Sequence, residues 1–173
     1  MKPSHNFFTQ SAETLAPALL GKVICRRTNG EVLRAVITET ECYMGTGDTA
    51  SHAHRGKTPR NSIMFTNGGH LYIYLCYGIH YLLNIVSGTH DDPQAVLIRG
   101  IKTDQPPQNL NGPGKVTKYL QIGKAQNGIN LTDSDEIWIE DIGLTPQYTT
   151  KPRIGIDYAL PADRARPWRF CIR

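Results

Sequence analysis

Apolar and polar positions alternate along much of this chain in short runs closed by glycine, proline or asparagine, a rhythm that predicts strands more than helices. One helix is expected early. Ser11 to Leu20 carries an N-cap at Ser11, an acid at Glu13 in the first turn and Gly21 just past its end, with Pro17 expected to kink it. Residues 22–28 and 31–43 flank Asn29-Gly30, a dipeptide that supplies the two positive φ angles of a tight hairpin turn. LYIYL at 71–75 and HYLLNIV at 80–86 predict a second hairpin with Tyr77 near its tip.

AVLIR at 95–99 continues the sheet, and GPGKVTKYLQIG at 112–123 reads as a helix with Pro113 in its first turn. EIWIED, RIGIDY and RFCIR supply late strands, while 100–111, rich in proline and asparagine, is expected to be a surface loop. Asp48 is placed to cap one helical turn reaching His52, and HRGKTPRN after it reads as a mobile basic loop. The fold class that follows is α+β: a single domain spanning 1–173, with a mostly antiparallel curved sheet, short flanking helices and a protruding β-hairpin.

Composition narrows this only slightly. The formal net charge of +4 permits a nucleic-acid partner without pointing to one. Arg55, Lys57 and Arg60 fall in one loop and Arg164, Arg166, Arg169 and Arg173 crowd the C-terminus, so either group can meet phosphate or simply face solvent. The 4 cysteines form no C-x-x-C pair, which fits reduced thiols in a cytoplasmic protein, and no run approaches a membrane span.

Chemistry concentrates between Ile37 and Asn84. Alternation along a strand puts Glu39, Glu41 and Tyr43 on one face, with Thr38, Thr40 and Cys42 on the other. His52, Tyr72, Tyr74 and Tyr77 follow, then Asn84, so a carboxylate, stackable rings and an amide are in place for a flat heterocycle. Either acid fits the carboxylate role, and like charge beside it would raise the other's pKa. His52 and His54 form an H-x-H pair, but the spacings of known zinc sites are missing, so no metal and no cofactor are expected. Neither a G-x-S-x-G elbow nor a phosphate-cradling loop occurs.

Taken in order, LLGK at 19–22, ETECY at 39–43, DTASHA at 48–53, TPRNSIMF at 58–65, LYIYLCYGIHYLLN at 71–84, AVLIR at 95–99 and GPGK at 112–115 resemble the alkyladenine, or 3-methyladenine, DNA glycosylases. The resemblance implies a monofunctional enzyme in its compact bacterial form. Such an enzyme rotates a damaged purine, whether alkylated, deaminated or etheno-bridged, out of duplex DNA and hydrolyses its N-glycosidic bond to leave an abasic site, as a monomer in the cytoplasm. By position, Glu41 becomes the activator of the attacking water and Arg99 its helper, with a backbone carbonyl near Ile156. Tyr43 and Tyr74 become the stacking walls, His52 the ring that joins them, Asn84 the gate against guanine and Tyr77 the wedge left in the stack. Cys42 stands where alanine is more frequent, and the loop from Lys102 to Asn111 is short and lacks a basic segment, which implies a weaker or differently placed DNA grip. The competing expectations are a non-catalytic nucleic-acid-binding module and a metal-dependent hydrolase built on His52 and His54.

Overall fold

The longest strand, β2, organises the molecule. In the computed structural model, which describes residues 1–173, β2 runs Glu31–Tyr43 and pairs with three other strands. Its first half lies against β1 (Val23–Thr28) across the Asn29-Gly30 turn, where φ values of 50° and 79° are those the dipeptide was expected to supply. Its second half runs between β5 (Gln94–Asp104) on one side and β9 (Arg169–Ile172) on the other. Glu39 and Glu41 therefore sit in a central strand, which accounts for the complete burial of Glu41.

The remaining strands extend one antiparallel sheet. β3 (Leu71–Cys76) and β4 (His80–Ser87) form the second hairpin, joined to β5 through β4, and β7 (Ile137–Glu140) adds beyond β1. β6 (Pro107–Asn111) pairs with β5, and β8 (Tyr148–Lys151) with β9. Along β2 and β5 the register steps over Thr38 on one strand and then over Arg99 on the other. Such irregularities bend a strand and re-aim side chains, and this one sits where Arg99 meets the two acids.

Helix α2 (Ala12–Ala18) follows a short first turn of helix, α1 (His5–Phe8). Ser11 caps it by accepting the Thr14 N–H, and Pro17 lies in its final turn, so the helix stops rather than kinks. α2 and α3 (Pro113–Tyr119) lie against β2, β4 and β5 and close a core of 25 buried residues. The other face of the sheet carries a smaller apolar cluster that includes Ala53, Met64, Phe65 and Tyr72. α4 (Pro161–Ala165) precedes β9.

Three further expectations need correction. Residues 100–111 are not a surface loop: Ile101 and Thr103 are buried, so β5 continues to Asp104 and turns back as β6. The prolines are accommodated at the turn and at the first position of an edge strand, where a missing N–H costs little. RIGIDY is not a strand, because Arg153 is drawn inward by Asp48 and Gly155 takes φ +74°, which breaks any extended run. Residues 49–55 form successive turns rather than a helix, although Asp48 does cap the first of them by accepting the Ala50 N–H.

Candidate active site

A cleft of about 1050 Å³ opens on the face of the sheet away from the main core. Tyr43 from β2, His52 from the turns, Tyr74 from β3, Asn84 from β4 and Arg99 from β5 all line it, with Tyr77 at its edge. Glu41 lies directly beneath. It is fully buried, yet its Oε2 accepts the Tyr43 hydroxyl at 2.8 Å and its Oε1 accepts the Ile154 N–H at 2.8 Å, and both of those residues line the cleft.

Arg99 Nε lies 3.5 Å from Glu41 Oε1 and 3.3 Å from Glu39 Oε1. Glu39 also accepts from Arg169 at 3.0 Å, so it serves as a tether between two arginines. Burial pushes the Glu41 carboxyl above its ordinary range, and Arg99, the Ile154 N–H, the Tyr43 hydroxyl and Arg153 oppose that push. Desolvation is thus the leading cause, where the sequence had suggested like charge from Glu39.

The aromatic side of the cleft is a packed set. His52 lies 4.4 Å from the Tyr74 ring, centroid to centroid, and its Nδ1 meets the Tyr72 hydroxyl at 2.8 Å. Burial lowers the His52 pKa, with help from Arg60, so the ring is neutral at neutral pH and keeps Nε2 for a ligand. Burial pushes Tyr72 up to about 12 and Tyr43 and Tyr74 upward as well, so all three keep their hydroxyl protons. Asn84 is 4% exposed and donates to the Tyr72 carbonyl at 3.1 Å, which fixes its amide at the cleft wall.

Tyr77 stands apart from these. It is 90% exposed and held at φ +50° at the tip of the β3–β4 hairpin, where it projects into solvent. With Gly78 at φ +66°, it supplies the two positive φ angles of the tight hairpin turn, a left-handed conformation uncommon for a bulky residue.

Sequence reasoning missed several residues that build the site. Asn61 accepts the Thr58 N–H at 2.7 Å and donates to the carbonyls of His52 and Gly56, so the basic loop is closed on a buried amide beneath His52. Arg153 is 5% exposed and donates to both oxygens of Asp48, 105 positions away in sequence. Removing one partner from a buried pair of this kind costs about 3–5 kcal/mol. Lys115, Lys118, Arg60 and His80 line the mouth of the cleft, and Gly114 allows α3 to approach His80, since a Cβ there would lie 2.9 Å from the imidazole. No short motif signals Asn61 or Arg153, because their partners come from distant segments or from the main chain. No group of histidine, cysteine, aspartate or glutamate is arranged to hold a metal ion, and the four cysteines are free. No helix is long and apolar enough to cross a membrane.

An antiparallel sheet carrying an aromatic cleft over one buried carboxylate defines a class of protein with a pocket shaped for a flat ring and an acidic group beside it. Comparison with known proteins makes the class specific. Residues 6–173 match the family described as Methylpurine-DNA glycosylase (MPG). A protein of Psychrobacter cryohalolentis named "Putative 3-methyladenine DNA glycosylase" is 43% identical over 92% of this chain and 85% of its own length. Proteins of the same name from Borrelia garinii subsp. bavariensis and Rickettsia felis are 40% and 44% identical, each over 96% of this chain and over 94% and 90% of their own lengths. The chain belongs to the methylpurine-DNA glycosylase family. It is a DNA-repair enzyme, a hydrolase acting on N-glycosyl bonds, and its substrate is DNA.

Proposed function

We propose that this protein excises alkylated purines, 3-methyladenine among them, from duplex DNA by using Glu41 to deprotonate the water that attacks the sugar. The observation that carries the reading is the contact of Glu41 with Tyr43: the buried carboxylate and the aromatic wall are held together by one hydrogen bond at the floor of the cleft.

Reaching a base inside a duplex requires the nucleotide to leave the stack, at a cost of about a few kcal/mol. Tyr77, exposed at its hairpin tip, fills the gap and offsets part of that cost. Inside the cleft, stacking on Tyr43 and on the Tyr74–His52 pair returns roughly 1–3 kcal/mol for the base. An alkylated, cationic purine gains further from the electron-rich faces of the tyrosines, and that gain begins the selection for damage. Asn84, on the cleft wall, is assigned the gate against guanine's exocyclic amino group.

Alkylation makes the purine a good leaving group, so the protein supplies a positioned water and support for the cationic sugar. A carboxylate has about four lone-pair sites, so beyond the bonds from Tyr43 and Ile154 Glu41 keeps acceptor capacity for a water. Arg99 holds the far side, with its Nη groups available to orient that water. As the glycosidic bond breaks, its electron pair leaves with the base, the water oxygen bonds to C1′, and the water's proton passes to Glu41. General-base help of this kind contributes about 10²–10⁴-fold, and the carboxylate's charge stabilises the oxocarbenium-like transition state.

The group beneath the base is a carboxylate and not an amine, so no Schiff base forms, and with water as the nucleophile the product is an abasic site. Lys22 is bonded to Asp141 and Lys57 lies against Phe65, while Lys115, at the rim, is assigned to the DNA backbone. The whole chain acts as one glycosylase domain, a monomer in the cytoplasm on nucleoid DNA, with no cofactor. Base release from methylated duplex DNA, measured with and without chelator, tests the reading. Release unaffected by chelator and abolished by Glu41→Gln is expected, and full single-turnover release by that variant rejects the assignment. Borohydride trapping of a protein–DNA adduct would overturn the monofunctional mechanism.

A further inference from the structure

Four parts of the cleft converge on Arg153, a residue with no role in the chemistry above. Its Nη1 donates to the Cys42 carbonyl at 3.0 Å, on β2 between Glu41 and Tyr43. Its two Nη groups grip Asp48, whose carboxylate also accepts the N–H groups of Met44 and Ala50 and so fixes the turns that lead to His52. Its guanidinium carbon lies 4.8 Å from the centre of the Tyr43 ring and 4.9 Å from that of Trp168. The N–H of the next residue, Ile154, is bonded to Glu41.

Building on the glycosylase reading, we propose that Arg153 is a positioning residue for excision: one guanidinium sets the Tyr43 ring, the turns presenting His52 and the Ile154 N–H on Glu41 in a single mutual arrangement. The geometry requires a planar fork. Asp48 takes one Nη group on each oxygen while the guanidinium carbon lies over two rings, and a lysine ammonium reproduces the charge without the two-pronged grip. Titratable groups facing Arg153 are Asp48, Glu41, Tyr43, Cys42 and Tyr158, and its charge favours the ionised form of Glu41.

Two variants test the assignment, Arg153→Lys and Arg153→Met, each followed by single-turnover excision from duplex DNA carrying a methylated purine across pH, with binding and thermal melts alongside. Arg153→Lys is expected to fold, to bind damaged DNA as the parent does, and to lose roughly 10- to 100-fold in its plateau rate, the scale of an ångström's misplacement. Its acid limb stays in place, because the charge remains. Arg153→Met is expected to move the acid limb to higher pH at pH values where its thermal melts show it folded. A parental plateau in Arg153→Lys overturns the proposal, as does a loss accounted for entirely by weaker binding or by unfolded protein. If Arg153→Met does not fold, Arg153→Lys decides alone. Parent protein that releases no base from methylated DNA defeats the functional reading itself, a result distinct from either variant's outcome.

Discussion

The Tyr43 hydroxyl donates to Glu41 Oε2 at 2.8 Å, so the ring that walls the cleft also holds the carboxylate beneath it. The two residues are one strand period apart on β2, and their side chains leave the sheet on the same face.

Tyr43→Phe keeps the ring and removes the donor. A hydrogen bond to a charged group is worth about 1.5–3 kcal/mol, which corresponds to roughly 10- to 100-fold in rate if it is fully expressed in the transition state. Binding of damaged DNA should therefore persist while single-turnover excision falls by that order. Because the same bond lowers the Glu41 pKa, its loss should move the acid limb of the pH–rate profile upward.

Glu41→Gln should make the protein more stable at neutral pH while abolishing excision. The folded pKa of Glu41 lies above its ordinary 4.5, so the folded state holds that proton more tightly than the unfolded chain does. The group's contribution is fully present below 4.5 and is lost as pH rises through the folded value. Thermal melts should show the variant's advantage at neutral pH and its disappearance at a pH below 4.5. An equal midpoint for both proteins at every pH would contradict this.

Tyr77→Ala should leave stability within about 0.5 kcal/mol, since the side chain is 90% exposed. What it should remove is base extrusion. A 2-aminopurine beside the lesion reports unstacking by its fluorescence, and an unchanged signal in the variant would show that another residue opens the stack.

Lys115→Ala should lower the slope of log affinity against log salt by about 0.9, the amount expected for one phosphate no longer neutralised. Titrations with undamaged duplex at several salt concentrations measure it. An unchanged slope would place Lys115 away from the DNA backbone.

Hairpins were legible in the sequence because their determinants are adjacent: Asn29-Gly30 turns β1 into β2 by the φ angles it permits, and the β3–β4 pair follows from alternation around a glycine turn. RIGIDY misled because an alternating pattern cannot reveal that Arg153 answers a carboxylate more than a hundred residues earlier. Residues 100–111 misled because prolines mark loops only where no edge strand can absorb them.

The sequence by itself determined the antiparallel strand order of both hairpins, the α2 cap and the set of residues able to form an aromatic site, since each depends on backbone preferences or side-chain chemistry within a few positions. Family resemblance aside, residue chemistry left the two acids equivalent, and tertiary structure decided which lies beneath the cleft. Glu39 is drawn off by Arg99 and Arg169, while Glu41, in the middle of a central strand, loses its water and meets Tyr43, Arg99 and the Ile154 N–H. Two carboxylates on one strand face are chemically equivalent until neighbouring strands remove the solvent from one and supply counter-charges to the other, and those neighbours come from β5, β9 and the segment beginning at Arg153.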